Sequence, residues 1–253
     1  MLSEFNTCAS EYNKFRADYP ETLFELLIKS FGLSSETLIA DVGCGTAIAT
    51  IPFSKYGIPI IGLDPSLEML NIAKTRAKEL NLSISFLESS AEEIPLADSS
   101  VSFVNCAQAF HWFDSQKALK EFARILKPNG GLAIYWNNRD HISAPYLAKV
   151  ENLISKYNPK HQLAYQAEDW TLVLTKSQLF TNIKFYTFSH GTEISIEDFI
   201  GLTRSFSYLR NVLSDKTLVI FENELREILK QASNNNNVWL PYQVKLWSAN
   251  KQN

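Results

Sequence analysis

The sequence predicts an α/β fold built on a mostly parallel sheet, and three observations carry that prediction. Between about Leu38 and Trp136, short apolar runs alternate with segments of helical periodicity. The runs LIADV, PIIGLD, SISFLE, VSFVNCA and GLAIYW are each bounded by Gly, Pro, Asp or Ser, as strands are. The segments between them are long enough for the helix or crossover that parallel strands require.

Taken in order, a first helix is expected from Leu23 to Phe31, followed by the strand LIADV. That strand runs into the glycine-rich turn DVGCGT, with a helix beginning near Thr46. PIIGLD is the second strand and ends at Asp64. The segment SLEMLNIAKTRAKELN then places Leu67, Leu70, Ala73, Ala77 and Leu80 near one helical face. A later stripe of Ala118, Phe122, Ile125 and Leu126 stops at Pro128, whose missing N–H ends helices. Helices patterned in this way cover a sheet.

The second half changes character. Residues 142–160 and 195–233 read mainly as helices, and TNIKFYTFSH and VWLPYQVKLW as two late strands, with an NNNN loop at 234–237. These strands are expected to extend the sheet edge in antiparallel fashion, while the intervening helices and the first helix form a cap. The chain reads as one domain over 1–253, with a core at about 32–140 and a C-terminal part at about 141–253.

Composition narrows the partners. The chain has 253 residues, 45% of them hydrophobic, enough for a sizeable core. A formal charge of -3, with no basic block, gives no electrostatic reason for nucleic-acid or anionic-membrane binding. Cys8, Cys44 and Cys106 are odd in number and lack ligand-like spacing, so neither a disulfide framework nor a metal site is expected. With no apolar leader or membrane span in the sequence, a cytoplasmic location and a small-molecule partner are the expectation.

The turn carries the chemistry. Glycines at 43 and 45 let the backbone approach a ligand at the top of the first strand. A dinucleotide fingerprint would place a third glycine near 48, where Ile48 stands. About twenty residues on, Asp64 ends the second strand, where a carboxylate can accept hydrogen bonds from the vicinal hydroxyls of a ribose. NAD and S-adenosylmethionine both carry such a ribose. Asp41 discriminates, because a carboxylate beside the turn repels pyrophosphate but suits the ammonium of a methionine.

The runs DVGCGT, GLDPSLEML, SSAEEIPL, QAFHWFD and LKPNGG resemble, in order and spacing, those of class I S-adenosylmethionine-dependent methyltransferases with a Rossmann-like sheet and an antiparallel final strand. AQAFHWFD and the late strand pair interrupted by helices look like the trans-aconitate methyltransferase-like branch. The resemblance implies that Asp41, Gly43, Gly45 and Thr46 hold the methionine part and Asp64 the ribose. It further implies that Met69 packs near the adenine. Where the family often has Gly-Asp-Ala-Glu, this chain has Ser89-Ser90-Ala91-Glu92, so the adenine contact falls to the Ala91 backbone with Ser90 or Glu92. Cys106 becomes small filler, Trp112 a wall of the cofactor pocket, and Tyr12 and Arg16 a segment folding over the methionine carboxylate.

His111 could deprotonate an acceptor, since imidazole titrates near neutral pH, or could simply bracket the cofactor. Trp136, Asn137, Asn138 and Arg139 follow the fifth strand, where an acceptor would sit. Arg204, Ser207 and Tyr208 share a helical face at i, i+3 and i+4, from which Arg204 could clamp a carboxylate or pair outward. The expected activity is methyl transfer to a small molecule, with a carboxylate among the acceptors that fit. Phenols, amines or ring carbons of a natural product or quinone are the alternative, and a non-catalytic S-adenosylmethionine-binding protein is a third reading.

Overall fold

The computed structural model describes residues 16–160 and 168–252. Tyr12 lies outside them. The helix Glu21–Phe31 (α1) precedes the strand Ile39–Val42 (β1), the short helix Thr50–Lys55 (α2), the strand Ile60–Asp64 (β2) and the helix Leu67–Glu79 (α3). The strands Ser85–Glu88 (β3) and Val101–Ala107 (β4) follow, then a single 3-10 turn at Phe110–Trp112, the helix Ser115–Ile125 (α4) and the strand Leu126–Arg139 (β5). Beyond them come the helices Pro145–Tyr157 (α5) and Trp170–Ser177 (α6) and the strand Phe180–Ser195 (β6). The helices Ile196–Arg204 (α7), Ser207–Arg210 (α8) and Asp215–Ala232 (α9) then lead to the strand Asn237–Lys251 (β7).

The seven strands form one sheet in the order β3-β2-β1-β4-β5-β7-β6. β1 pairs in parallel with β2 and β4, β2 with β3, and β4 with β5. β7 runs the other way. Asp140 N–H donates to Pro241 O beside β5, and Gln252 N–H to Leu179 O and Ile196 N–H to Asn236 O beside β6, partners whose numbers rise on one strand as they fall on the other. The sheet is thus mostly parallel with one antiparallel strand, as the sequence predicts.

The described chain divides into two compact units, and the boundaries fall inside β5, β6 and β7. One unit draws on Asp18–Asn137, Tyr165–Phe188 and Val244–Asn253, the other on Asn138–Ala164 and Ser189–Gln243 with residues up to Ala17. In the first, Val42, Leu63, Val104, Phe110, Phe122, Ile134 and Trp136 belong to one buried cluster, and Phe24, Phe53, Phe103 and Tyr135 to another. In the second, Leu147, Ile154, Phe199, Phe206, Phe221 and Leu225 form a separate core.

Side-chain caps start five of the described helices. Ser66, Asp114, Asp169, Ser195 and Ser214 each accept a backbone N–H from the first turn that follows, which the helix itself cannot satisfy. No described helix is long and apolar enough to cross a membrane.

Several boundaries differ from expectation for local reasons. The helix after the glycine turn begins at Thr50 rather than near Thr46, because Gly43, Gly45 and Ala47 all take positive φ and hold the chain in a turn. On α3, Leu70, Ala73 and Ala77 are buried together with Met69, whereas Leu67 and Leu80 are 54% and 46% exposed, at the two ends where the face rolls off the sheet. Leu126 opens β5 instead of closing α4, and α6 lies in a stretch for which no helix was expected.

Gly43 is fixed by space as well as by φ. A Cβ there would stand 2.4 Å from the Cβ of Ala109, whereas a Cβ on Gly57, at a similar φ of +74°, would meet nothing within 4 Å. Gly57→Ala should therefore cost about 1 to 2 kcal/mol from the left-handed backbone alone. Gly43→Ala should cost about 2 to 4 kcal/mol, because overpacking adds to the same strain. Denaturant melts of the two variants check the difference, and equal losses would place Ala109 elsewhere.

Candidate functional site at the glycine turn

The order β3-β2-β1-β4 reverses direction at β1, so the C-terminal ends of β1 and β4 flank the crevice where open α/β sheets bind ligands. The turn Gly43–Ala49, the end of β2 and the segment after β4 meet there by chain connection.

Asp41 lies beneath the turn and is fully buried. One carboxylate oxygen accepts the Thr50 hydroxyl, and the other accepts Asn105 Nδ2 at 2.8 Å. Burial pushes its pKa up to about 6, against the lowering effect of these two hydrogen bonds. At neutral pH the group is therefore an ionised carboxylate that ties β1, β4 and α2 together. The two polar partners were missed in the sequence. Asn105 had a signal, as the one amide inside the apolar run VSFVNCA.

The N–H groups of the turn have partners within the protein. Gly43 and Cys44 donate to Leu63 O at 2.8 and 3.0 Å, and Gly45 donates to Asp64 Oδ2 at 2.9 Å. These three successive bonds close the turn onto β2. With two carboxylates, Asp41 and Asp64, at its base, the turn disfavours a phosphate and suits a ligand bearing positive charge.

Asp64 also accepts Ser66 N–H at 2.9 Å, and burial raises its pKa while the Ser66 and Gly45 hydrogen bonds lower it. Each oxygen of a carboxylate has two acceptor positions, so one on each stays open to a hydroxyl. The Thr46 hydroxyl is buried without a hydrogen-bond partner, and a Cβ on Gly45 would meet nothing within 4 Å. An orphaned hydroxyl, an open glycine face and a carboxylate with acceptor capacity fit the amino-acid and ribose parts of S-adenosylmethionine. Met69 and Ala91 are buried, as adenine-side residues would be, while Ser90 is exposed. Glu92 has a structural task, since its Oε1 accepts Asp114 N–H at 2.9 Å ahead of α4.

Cys106 is buried in the apolar cluster of the first unit, and burial pushes its thiol pKa well above the ordinary value. It is filler, not a nucleophile. Trp112 is 41% exposed and tilts against the His111 ring at 4.9 Å. His111 is held from the other side. The Trp136 indole N–H, which can only donate, reaches His111 Nδ1 at 3.1 Å, so the neutral ring carries its proton on Nε2. Burial lowers its pKa to about 4. Trp136 is itself fixed, stacked on Trp170 at 5.0 Å and edge-on to Trp247 at 5.9 Å.

The remaining expected residues belong to the second unit. The Arg16 guanidinium lies over the Phe206 ring at 5.2 Å. Asn138 is buried with its Oδ1 lacking a partner, and Tyr208 stacks on Phe206. Arg204 forks onto Glu222 at 2.7 and 2.9 Å, so the carboxylate it meets is the protein's own. Arg204 and Tyr208 do not share one helical face either, because α7 ends at Arg204 and α8 begins at Ser207.

Asp41 also sets a pH dependence. Its folded pKa of about 6 lies above the unfolded value of 3.8, so the folded state holds an extra proton between them. The contribution to stability is complete below about pH 4 and is lost as pH rises through about 6. Asp41→Asn should remove that trend, and its stability should gain about 1 to 3 kcal/mol on the wild type between pH 4 and 7. Parallel denaturant titrations check it. A constant difference across that range would show that the carboxyl titrates normally.

Comparison with known proteins shows the family. Residues 40–134 match the family model described as a methyltransferase domain. An uncharacterised methyltransferase of Schizosaccharomyces pombe is 35% identical over 229 residues, covering 89% of this chain and 87% of its own. The crystal structure of YcgJ from Bacillus subtilis aligns over 92% of this chain and all of its own, with a TM-score of 0.58 and 22% identity. The phosphoethanolamine N-methyltransferase 2 of Haemonchus contortus, solved with S-adenosylhomocysteine, aligns over 98% of this chain and 58% of its own, with a TM-score of 0.56 and 17% identity. The chain belongs to the class I S-adenosylmethionine-dependent methyltransferases, and S-adenosylmethionine is its cofactor.

Proposed function

We propose that the protein transfers the methyl group to a carboxylate oxygen of a small organic acid, as a member of the trans-aconitate methyltransferase-like branch. The observation that carries this reading is the state of His111. Its Nδ1 is taken by the Trp136 indole, its Nε2 bears the proton, and its pKa of about 4 leaves it neutral throughout the physiological range. A histidine in that state donates a hydrogen bond and does not remove a proton. An acceptor already ionised at neutral pH needs no base.

The cofactor supplies an electrophilic methyl on a sulfonium, and as the acceptor oxygen bonds to that carbon the C–S electrons return to sulfur. The protein's residues position and enclose. Thr46 and the open face of Gly45 receive the amino-acid part, with the ionised Asp41 beneath as electrostatic support. Asp64 accepts the ribose hydroxyls on its remaining acceptor positions, and Met69 and the Ala91 backbone line the adenine side. Charge disappears as the reaction proceeds, so alignment and exclusion of water contribute more than proton transfer does. Trp112 and the Trp136–Trp170 stack supply apolar wall for that purpose.

Two measurements test the reading. Asp64→Asn should weaken S-adenosylmethionine and S-adenosylhomocysteine alike by about 1 to 3 kcal/mol, the scale of hydrogen bonds to a charged acceptor. Calorimetry on the folded variant checks this, and unchanged affinity removes Asp64 from the ribose. With labelled S-adenosylmethionine and a panel of acids, phenols and amines, an acid should turn over at a rate flat from pH 6 to 9. His111→Gln should retain activity within about tenfold, because no general base is lost. A rate that rises with pH and collapses in His111→Gln would assign a phenol or alcohol acceptor instead.

A further inference from the structure

In the first unit, a cation on α3 is bound to the glycine turn itself. α3 starts beside Asp64, where Ser66 N–H donates to Asp64 Oδ1 at 2.9 Å and the Ser66 hydroxyl accepts Met69 N–H at 3.2 Å. The helix then buries Met69, Leu70, Ala73 and Ala77. Ala73 belongs to a small apolar cluster with Ala47 and Ile51, so the middle of α3 lies against the later half of the turn. Arg76 follows on the next turn of the helix. Helical side chains lean toward the N-terminus of their helix, which sends this guanidinium back toward the strand ends. Its Nη1 donates to the backbone carbonyl of Thr46 at 2.6 Å.

That bond reaches a part of the turn that β2 does not hold. Leu63 O and Asp64 fix Gly43, Cys44 and Gly45, whereas Ala47 N–H donates back to Cys44 O at 2.9 Å, inside the turn. Ala47 also takes a φ of +66°, which a residue with a Cβ adopts only where its surroundings hold it. Fixing the Thr46 carbonyl fixes the peptide plane between Thr46 and Ala47, and with it the backbone that carries the buried, unpartnered Thr46 hydroxyl. A hydrogen bond from a cation is shorter and stronger than one between neutral groups. Arg76 is half-buried; burial lowers its pKa, and the charges of Asp18 and Glu79 oppose that. A guanidinium stays protonated throughout, so the donor is always present. A groove of about 370 Å³ bordered by Asp18, Tyr19, Ile48, Pro52, Lys55 and Tyr56 adjoins it, so a shorter side chain at this position admits solvent instead of leaving a sealed void.

We propose that Arg76 is a positioning residue for the cofactor, setting through the Thr46 carbonyl the part of the turn that receives the amino-acid portion of S-adenosylmethionine. The proposal rests on the placement of that portion at Thr46 and Gly45 given above. Arg76 acts on the turn and not on the methyl group. α3 thereby serves two parts of one ligand, because its start is tied to Asp64, to which the same reading gives the ribose, and its later part to Thr46. A ligand that lacks the amino-acid portion gains nothing from this bond.

Calorimetry with S-adenosylhomocysteine and with methylthioadenosine, which shares the adenosine but lacks the amino-acid portion, tests this. The wild type should bind S-adenosylhomocysteine more tightly. Arg76→Gln should weaken S-adenosylhomocysteine about five- to twentyfold, within the range of a hydrogen bond to a charged group, and leave methylthioadenosine within about twofold. Arg76→Lys, which keeps a cationic donor on a flexible stem, should recover part of the loss. If the effect passes through Thr46, Arg76→Gln and Thr46→Val together should lose less S-adenosylhomocysteine affinity than the two separate losses summed. A side chain that only stabilises the fold would lower the melting temperature and weaken both ligands alike or neither, and either result in folded Arg76→Gln overturns the proposal. If Arg76→Gln does not fold, Arg76→Met, which keeps an unbranched stem without a donor, is read by the same ratio of affinities. A wild-type preference for S-adenosylhomocysteine that survives the substitution removes Arg76 alone. Equal wild-type binding of the two ligands removes the placement of the amino-acid portion at the turn, and the role of Arg76 with it.

Discussion

A buried carboxylate that must be satisfied from both sides organises the unit that carries the glycine turn. Asp41 can remain ionised in the core only because Thr50 and Asn105 donate to its two oxygens, and those donors come from α2 and β4. The register of β1 against β4, with Asp41 opposite Asn105, and the start of α2 after the turn are thus coupled to one charge. The glycine turn lies between them. Its N–H groups close onto β2 and Asp64, so its shape is fixed by the protein before any ligand arrives. Such preorganisation lowers the ordering cost of binding. It also leaves a turn that looks in sequence like a phosphate cradle with two carboxylates at its base, which suit a ligand of opposite charge.

A second rigid element is the aromatic group around Trp136. Its indole is fixed by stacking on Trp170 and by the edge of Trp247, whose own N–H reaches Thr171 at 3.0 Å. These rings come from β5, α6 and β7, so the orientation of the His111 ring depends on residues as distant in the chain as Trp247. Each such aromatic pair contributes about 0.5 to 1.5 kcal/mol beyond its burial. The histidine is kept from titrating by what surrounds it, and its chemistry belongs to the cluster more than to its place in the sequence.

The periodicities from Leu38 to Trp136 made the parallel strands legible, because fully buried strands read as short apolar runs bounded by turn residues. The turn at Gly43 and Gly45 and the strand end at Asp64 were legible because such features are set locally. Hidden were the features that depend on distant partners. Leu67 and Leu80 keep helical spacing with Leu70, yet only tertiary placement shows that the face ends before them. The break at Ser205, which separates Arg204 from Tyr208, carries no glycine or proline to announce it. Arg204 and Arg139 are alike as sequence. Their partners distinguish them, since Arg204 is forked by both oxygens of Glu222 while Arg139 meets one oxygen of Glu151 and keeps a buried N–H without a hydrogen-bond partner.

β7 lies between β5 and β6 although it follows both in the chain. During synthesis β5 therefore stays an open sheet edge, and β6 lacks its inner neighbour, until this strand emerges. An exposed edge bearing the apolar residues Leu132, Ile134 and Trp136 is a template for pairing with other chains. The nascent protein passes through a stage in which the glycine turn and the first five strands have been made but the sheet cannot be completed. A late insertion of this kind raises contact order and slows folding.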